Sequence, residues 1–161
     1  MSVAIEVDYG PLKELIGLWS DDKGLDIAPE PDGTEENPYY EAISFPAEGD
    51  LENAQSQKLA VVHYRRIVKR KSNNEVFHDE TGYWMWDAKE RTIIHSLSIP
   101  RAVTLLAGAK YEKSSDEDGN SIIEEQASLD DKDWNIVQSP FMKKMPRPPG
   151  IIKLFGLGTE R

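Results

Sequence analysis

Five residues carry most of the chemistry in this sequence: His63, Arg65, His78, Glu80 and His95. An imidazole can ligate a metal, share a proton or hydrogen-bond a polar group. A guanidinium can pair with a carboxylate through two parallel bonds. His63 and Arg65 stand two apart, as do His78 and Glu80, so each pair shares a face if its segment is a strand. Both segments are rich in Val, Ile, Tyr and Trp and are separated by Lys71-Ser72-Asn73-Asn74, which reads as a hairpin turn. A turn centred between Ser72 and Asn73 sets Val61 opposite Trp84, His63 opposite Gly82, Arg65 opposite Glu80 and Ile67 opposite His78. A four-residue loop at 87–90 then sets Trp84 opposite Ile93, Gly82 opposite His95, Glu80 opposite Leu97 and His78 opposite Ile99.

Opposed residues of an antiparallel pair lie on one face. That face therefore gathers His63, Arg65, His78, Glu80, Gly82, Trp84, Trp86, Ile93, His95, Leu97 and Ile99, which form the candidate ligand-binding set. It is mainly apolar with a few convergent polar groups, the composition of a small-molecule pocket. Gly82 leaves a gap into which His63 and His95 could lean. Arg65 and Glu80 form a cross-strand pair. His63, Arg65, His78 and His95 would meet the polar part of a ligand, and Trp84, Trp86, Ile93, Leu97 and Ile99 its apolar part. Taken singly, each histidine also reads as a core residue bonded to backbone or carboxylate. Three histidines on zinc would need their nitrogens ~2.0–2.1 Å from one point. His78 sits two rows away, so no metal site is expected. Glu80 and His78 share a face and could act as an acid–base pair, but neutralising Arg65 is the simpler role for Glu80. No catalytic residue is assigned.

The elements that position these residues read as a meander. Gly10-Pro11 opens a short helix with Leu12, Leu15 and Ile16 on one side. Strands are expected at 17–25, 38–46, 58–70, 75–87, 91–99, 101–112 and 121–128, with a long loop at 26–37. The fold class is all-β: an antiparallel barrel of about eight to ten strands, of lipocalin or fatty-acid-binding-protein type, with a short N-terminal helix. One domain spans 1–161, with an arm at 1–9, the barrel at 10–138 and an irregular tail at 139–161 that holds four prolines. A barrel left open by that tail would expose an edge through which two copies could pair as a homodimer.

Composition narrows the partners. A net charge of -10 argues against nucleic acid. The basic run at 65–71 alternates with Ile67 and Val68 and reads as a strand end. Without cysteine there is no disulfide, thiolate site or catalytic thiol. No leader is read at the N-terminus and no apolar run reaches the ~20 residues that span a bilayer, so a cytoplasmic protein is expected. Gly156-Leu157-Gly158 follows no strand and is no dinucleotide fingerprint. The acidic run at 115–118 lacks the ligand alternation of a calcium loop.

Several motifs carry a resemblance. Leu12 to Trp19, ending Ile16-Gly17-Leu18-Trp19, resembles the opening helix and Gly-x-Trp motif of the nitrobindin family. His78-Asp79-Glu80-Thr81-Gly82-Tyr83-Trp84 resembles its His-x-Glu-x-Gly-Tyr segment, and 58–64 and 92–110 resemble the flanking strands. The similarity covers roughly residues 10–112 and looks closest to a bacterial branch. It implies a ten-stranded barrel with haem in its mouth, pocket positions at His78 and His95, and, in a loaded member, nitric oxide binding or peroxynitrite isomerisation. The family's iron is held by a C-terminal histidine, and this chain has none after His95. Met142, Met145, His78 and His95 are the remaining candidate ligands. The function expected is a barrel that binds haem or a similar apolar, carboxylate-bearing molecule. The alternatives are a fatty-acid carrier anchored by Arg65, or a haem-dependent isomerase.

Overall fold

The computed structural model describes residues 6–30, 33–53, 56–117, 119 and 121–144. The expected first helix is a single 3-10 turn, Gly10–Glu14, with Pro11 near its start. Among the described residues ten strands follow: β1 (Gly17–Glu30), β2 (Gly33–Phe45), β3 (Ala47–Asn53), β4 (Gln57–Arg70), β5 (Val76–Asp87), β6 (Thr92–Ile99), β7 (Val103–Lys110), β8 (Ser114–Ser115), β9 (Ser121–Ile122) and β10 (Ile136–Gln138). All strand pairs are antiparallel. β1, β2, β4, β5, β6, β7 and β10 follow one another across the main sheet, and β3 also lies on β4. β8 and β9 form a separate small hairpin. Among the described residues the sheet stays open between β1 and β10.

β2 and β3 run as one course along β4, interrupted at Pro46 and bulged at Glu48. A proline cannot donate to the ladder, and its carbonyl instead accepts from the His63 amide at 3.1 Å. The segment expected as a loop at 26–37 is instead the far half of the β1–β2 hairpin, paired as far as Glu30↔Gly33. Pro29 is compatible with pairing there because β1 is an edge strand. The expected strand at 121–128 is shorter: after β9 it continues as an extended segment tied to β7 by a Gly108↔Gln126 bridge. Ile123, Glu125 and Ala127 still alternate inward. Of the expected tail, Met142–Lys144 form a second 3-10 turn, while 145–161 lie outside the described residues.

Register decides the interior. At the turn itself the expected pairing holds, with Lys69 opposite Val76. Phe77 is then an extra residue on β5, so Val68 pairs with His78, Tyr64 with Gly82 and Ala60 with Trp86. A bulge of this kind displaces everything beyond it by one, and a one-residue slip exchanges the faces of a strand. β4 therefore turns Val62, Tyr64 and Arg66 inward. At the β5–β6 hairpin the loop is 88–91, one residue later than expected, which moves each cross-strand partner by two and gives Trp84↔His95 and Gly82↔Leu97. That even shift keeps both faces and changes only the rows.

The inner face is packed by Leu12, Phe45, Val62, Trp84, Trp86, Ile93, Leu97, Leu105 and Ile123, all buried. Gly10, at φ +51°, lies against the Trp86 indole so closely that a Cβ would come within 2.4 Å of it. The 3-10 turn thereby covers one end of the sheet.

Candidate functional site

A continuous hydrogen-bonded chain crosses the inner face away from that covered end. Glu125 Oε1 lies 2.8 Å from His95 Nδ1, and both side chains are only 1% exposed. His95 Nε2 lies 3.0 Å from the Tyr64 hydroxyl. Tyr64 donates to Glu80 Oε1 at 2.9 Å, and Glu80 Oε2 lies 2.8 Å from His78 Nε2. His78, 30% exposed, is the most accessible member. Arg66 and Glu41 form a half-buried ion pair at 2.7 Å beside it, with Arg66 opposite Glu80 in the ladder.

The electrostatics follow from these contacts. Burial alone would raise the Glu80 carboxyl, but hydrogen bonds from His78 and Tyr64 and the Arg66 charge outweigh it and hold Glu80 below the usual glutamate value. Burial, reinforced by the Glu80 charge, pushes the Tyr64 phenol far above its ordinary value, so Tyr64 keeps its proton. Burial works against the Arg66 charge, yet Glu41 first and Glu80 after it more than compensate, and its value is raised.

The structure divides the expected site. His78, Glu80, Trp84, Trp86, Ile93, His95, Leu97 and Ile99 do share the inner side of the sheet. His63 and Arg65 do not, because of the Phe77 bulge. His63 bonds Thr81 Oγ1 at 2.9 Å and leans on Tyr83. Arg65 makes two bonds to Asp79, at 2.8 and 3.1 Å, with its side chain 54% exposed. The expected Arg65–Glu80 pair is replaced by Arg65–Asp79 outside and Arg66–Glu41 inside. The expected His63–Gly82–His95 row is likewise replaced by Tyr64–Gly82–Leu97. A Cβ on Gly82 would fall 2.0 Å from the Ser96 carbonyl oxygen, so Gly82 admits the β6 backbone rather than opening a gap for rings. Trp84 stacks on His95 at 4.0 Å and 11°, and Trp86 and Ile93 belong to the packed end.

Tyr64, Arg66, Glu41 and Glu125 were not singled out from the sequence. For Glu125 the signal was present as the alternation Ile123, Glu125, Ala127 within the expected strand at 121–128. For Tyr64 and Arg66 only the bulge could have revealed it.

The comparisons with known proteins can be set beside this geometry. A family model described as the THAP4-like, heme-binding beta-barrel domain matches residues 8–157. The chain belongs to that family. This agrees with the resemblance to nitrobindin-like haem-binding barrels read from the motifs, and with the all-β antiparallel fold. No curated protein and no solved structure matches the chain.

Membership in a haem-binding family makes this a small-molecule-binding barrel by class and raises the question of which residues could meet the iron. His95 is a poor candidate, since both ring nitrogens are occupied and Trp84 covers one face. Met142 sits partly buried in the second 3-10 turn, and Met145 lies outside the described residues. His78 fits better. With its Nε2–H given to Glu80, a neutral ring carries its lone pair on Nδ1, and no other described residue hydrogen-bonds that ring. Histidines that ligate metals usually donate the second ring nitrogen to such a carboxylate. Among the described residues no cluster of three or more His, Asp or Glu side chains is arranged to hold a metal ion alone. None of the helical segments described is long and apolar enough to cross a membrane.

Proposed function

We propose that this chain binds haem against the His78 end of its inner face, with the His78 Nδ1 meeting the iron and Leu97, Ile99 and Phe45 contributing apolar wall. The observation that carries the reading is the Glu80–His78 bond of 2.8 Å, which fixes the ring and leaves Nδ1 as the free donor. Haem supplies the iron chemistry when bound; the chain supplies the imidazole, its carboxylate support and the apolar enclosure. A fatty-acid carrier is less well supported. Its anchor, Arg65, faces outward onto Asp79, and Arg66 inside is already paired with Glu41. A haem-dependent isomerase of reactive nitrogen species would need the same loaded site, so binding is the property to measure first. His63, Arg65 and the remaining inner-face residues are not assigned to the ligand in this reading.

Titration of the full chain with ferric haem, followed by absorption, tests it. The expected result is a saturable Soret shift that is lost in His78→Ala and kept in His63→Ala. An undiminished shift in His78→Ala would remove His78 from the site and overturn the proposal.

A further inference from the structure

The inner chain has a direction, and that direction can be derived by counting protons. Tyr64 donates to Glu80 Oε1 at 2.9 Å, and His78 Nε2 lies 2.8 Å from Oε2, so each carboxylate oxygen meets one of the two side chains. Tyr64 has a single hydroxyl hydrogen, and it goes to Glu80. At the 3.0 Å contact between Tyr64 and His95 the ring must therefore donate, which places a hydrogen on His95 Nε2. At the 2.8 Å contact behind it, one further proton lies between His95 Nδ1 and Glu125 Oε1. The pair is neutral overall whichever atom carries it. From His95 onward each bond thus points toward Glu80, ending on the carboxylate that also holds His78.

We propose that Tyr64, His95 and Glu125 are positioning residues that set the donor strength of His78 by keeping the Tyr64 hydroxyl hydrogen directed onto Glu80. Hydrogen bonds in series polarise one another. A Glu80 carboxylate that accepts from Tyr64 pulls less on the His78 Nε2 proton, and Nδ1 is a correspondingly weaker donor. Removing the Tyr64 hydroxyl concentrates the Glu80 charge on His78. Replacing Glu125 by glutamine leaves His95 a weaker donor to Tyr64 and produces the same change in smaller measure. A purely packing role for these residues would leave the His78 ring electronics untouched. Only the link to a bound ligand rests on the haem reading; the direction of the chain does not.

The test uses the ligand-free full chain with 15N-labelled histidine and long-range nitrogen correlation at one neutral pH. Nε2 of both His78 and His95 should show the proton-bearing shift, and His78 Nδ1 the lone-pair shift. In Tyr64→Phe the His78 Nε2 resonance should move toward the unprotonated value, and in Glu125→Gln by less in the same direction. If Tyr64→Phe does not fold, Glu125→Gln decides alone. A His95 Nε2 without its proton, or His78 shifts unchanged in the folded variants, overturns the proposal. Ferric haem added to the same samples separates the two ideas. Absent haem binding with the expected ring shifts removes the haem reading and keeps the chain, whereas normal haem binding with unchanged ring shifts does the reverse.

Discussion

The two ends of one inner face are built on opposite principles. Beside the 3-10 turn, β4, β5 and β6 contribute Ala60, Trp86 and Ile93, which Leu12 and Leu15 cover. A few rows along the same strands, Arg66 and Glu80 stand opposite each other with His78 next to them, and hydrogen bonds join Tyr64, Glu80 and His78. The covered end gains its stability from apolar area removed from water, a term that is non-directional. The other end depends on hydrogen bonds whose geometry must be right, because a buried polar group left without a partner costs more than the bond contributes. His95 marks the boundary, stacked on Trp84 from one world and bonded to Tyr64 from the other. A strand can therefore change from core to site within two or three residues of one face, without any change in local conformation.

Substitutions can break or sharpen this contrast. The largest effect is expected from Trp86→Ala, which empties the covered end and should cost about 3–5 kcal/mol in urea unfolding. If the variant still folds, its haem titration should match the parent's; a lost Soret shift would mean the ends are not separable. A smaller effect is expected at the Asp87 loop. Burial would raise this carboxyl, but the Glu90 amide, the Gln57 side chain and the Lys89 amide hold it below its ordinary value of 3.8. A depressed carboxylate contributes stability above its unfolded value and loses it as pH falls through the folded one. Stability should thus decline below about pH 4, and Asp87→Asn should flatten that acid limb by about 1 kcal/mol or somewhat more. An acid limb identical in both proteins would show that other carboxylates govern it. The smallest effect is expected from Arg65→Ala, which removes an exposed ion pair worth roughly 0.2–1 kcal/mol. It should leave ligand binding unchanged, and a loss of binding there would return Arg65 to the site.

Much of this was legible in the residues. The β5 and β6 sets, His78, Glu80, Trp84, His95 and Leu97, were placed on one face from alternation alone, and the hairpin loop moved by one residue, which shifts each partner by two and leaves that placement undisturbed. The β4 set was not legible. Lys71 to Asn74 correctly located the turn, and Lys69 does pair with Val76, but the pattern Val-Phe-His at 76–78 carries no mark that Phe77 will be left unpaired. The consequence was the exchange of His63 and Arg65 for Tyr64 and Arg66. Two adjacent arginines made the error invisible, since either face of β4 would present a guanidinium opposite an acid. The β1–β2 extension was hidden for a different reason: Pro29 and Gly33 signal a loop unless the strand is known to lie at an edge.

The unpaired Phe77 also acts as a joint. It lets the turn at one end of the hairpin and the packed rows at the other obey different counting rules. A chain lacking Phe77 would join Val76 directly to His78 and could keep each cross-strand partner beyond it. Adding a residue inside the paired rows instead would turn β4 over and exchange a tyrosine interior for a histidine one. The hairpin tolerates a change of length at this one point, and the identity of the whole interior depends on where that tolerance is placed.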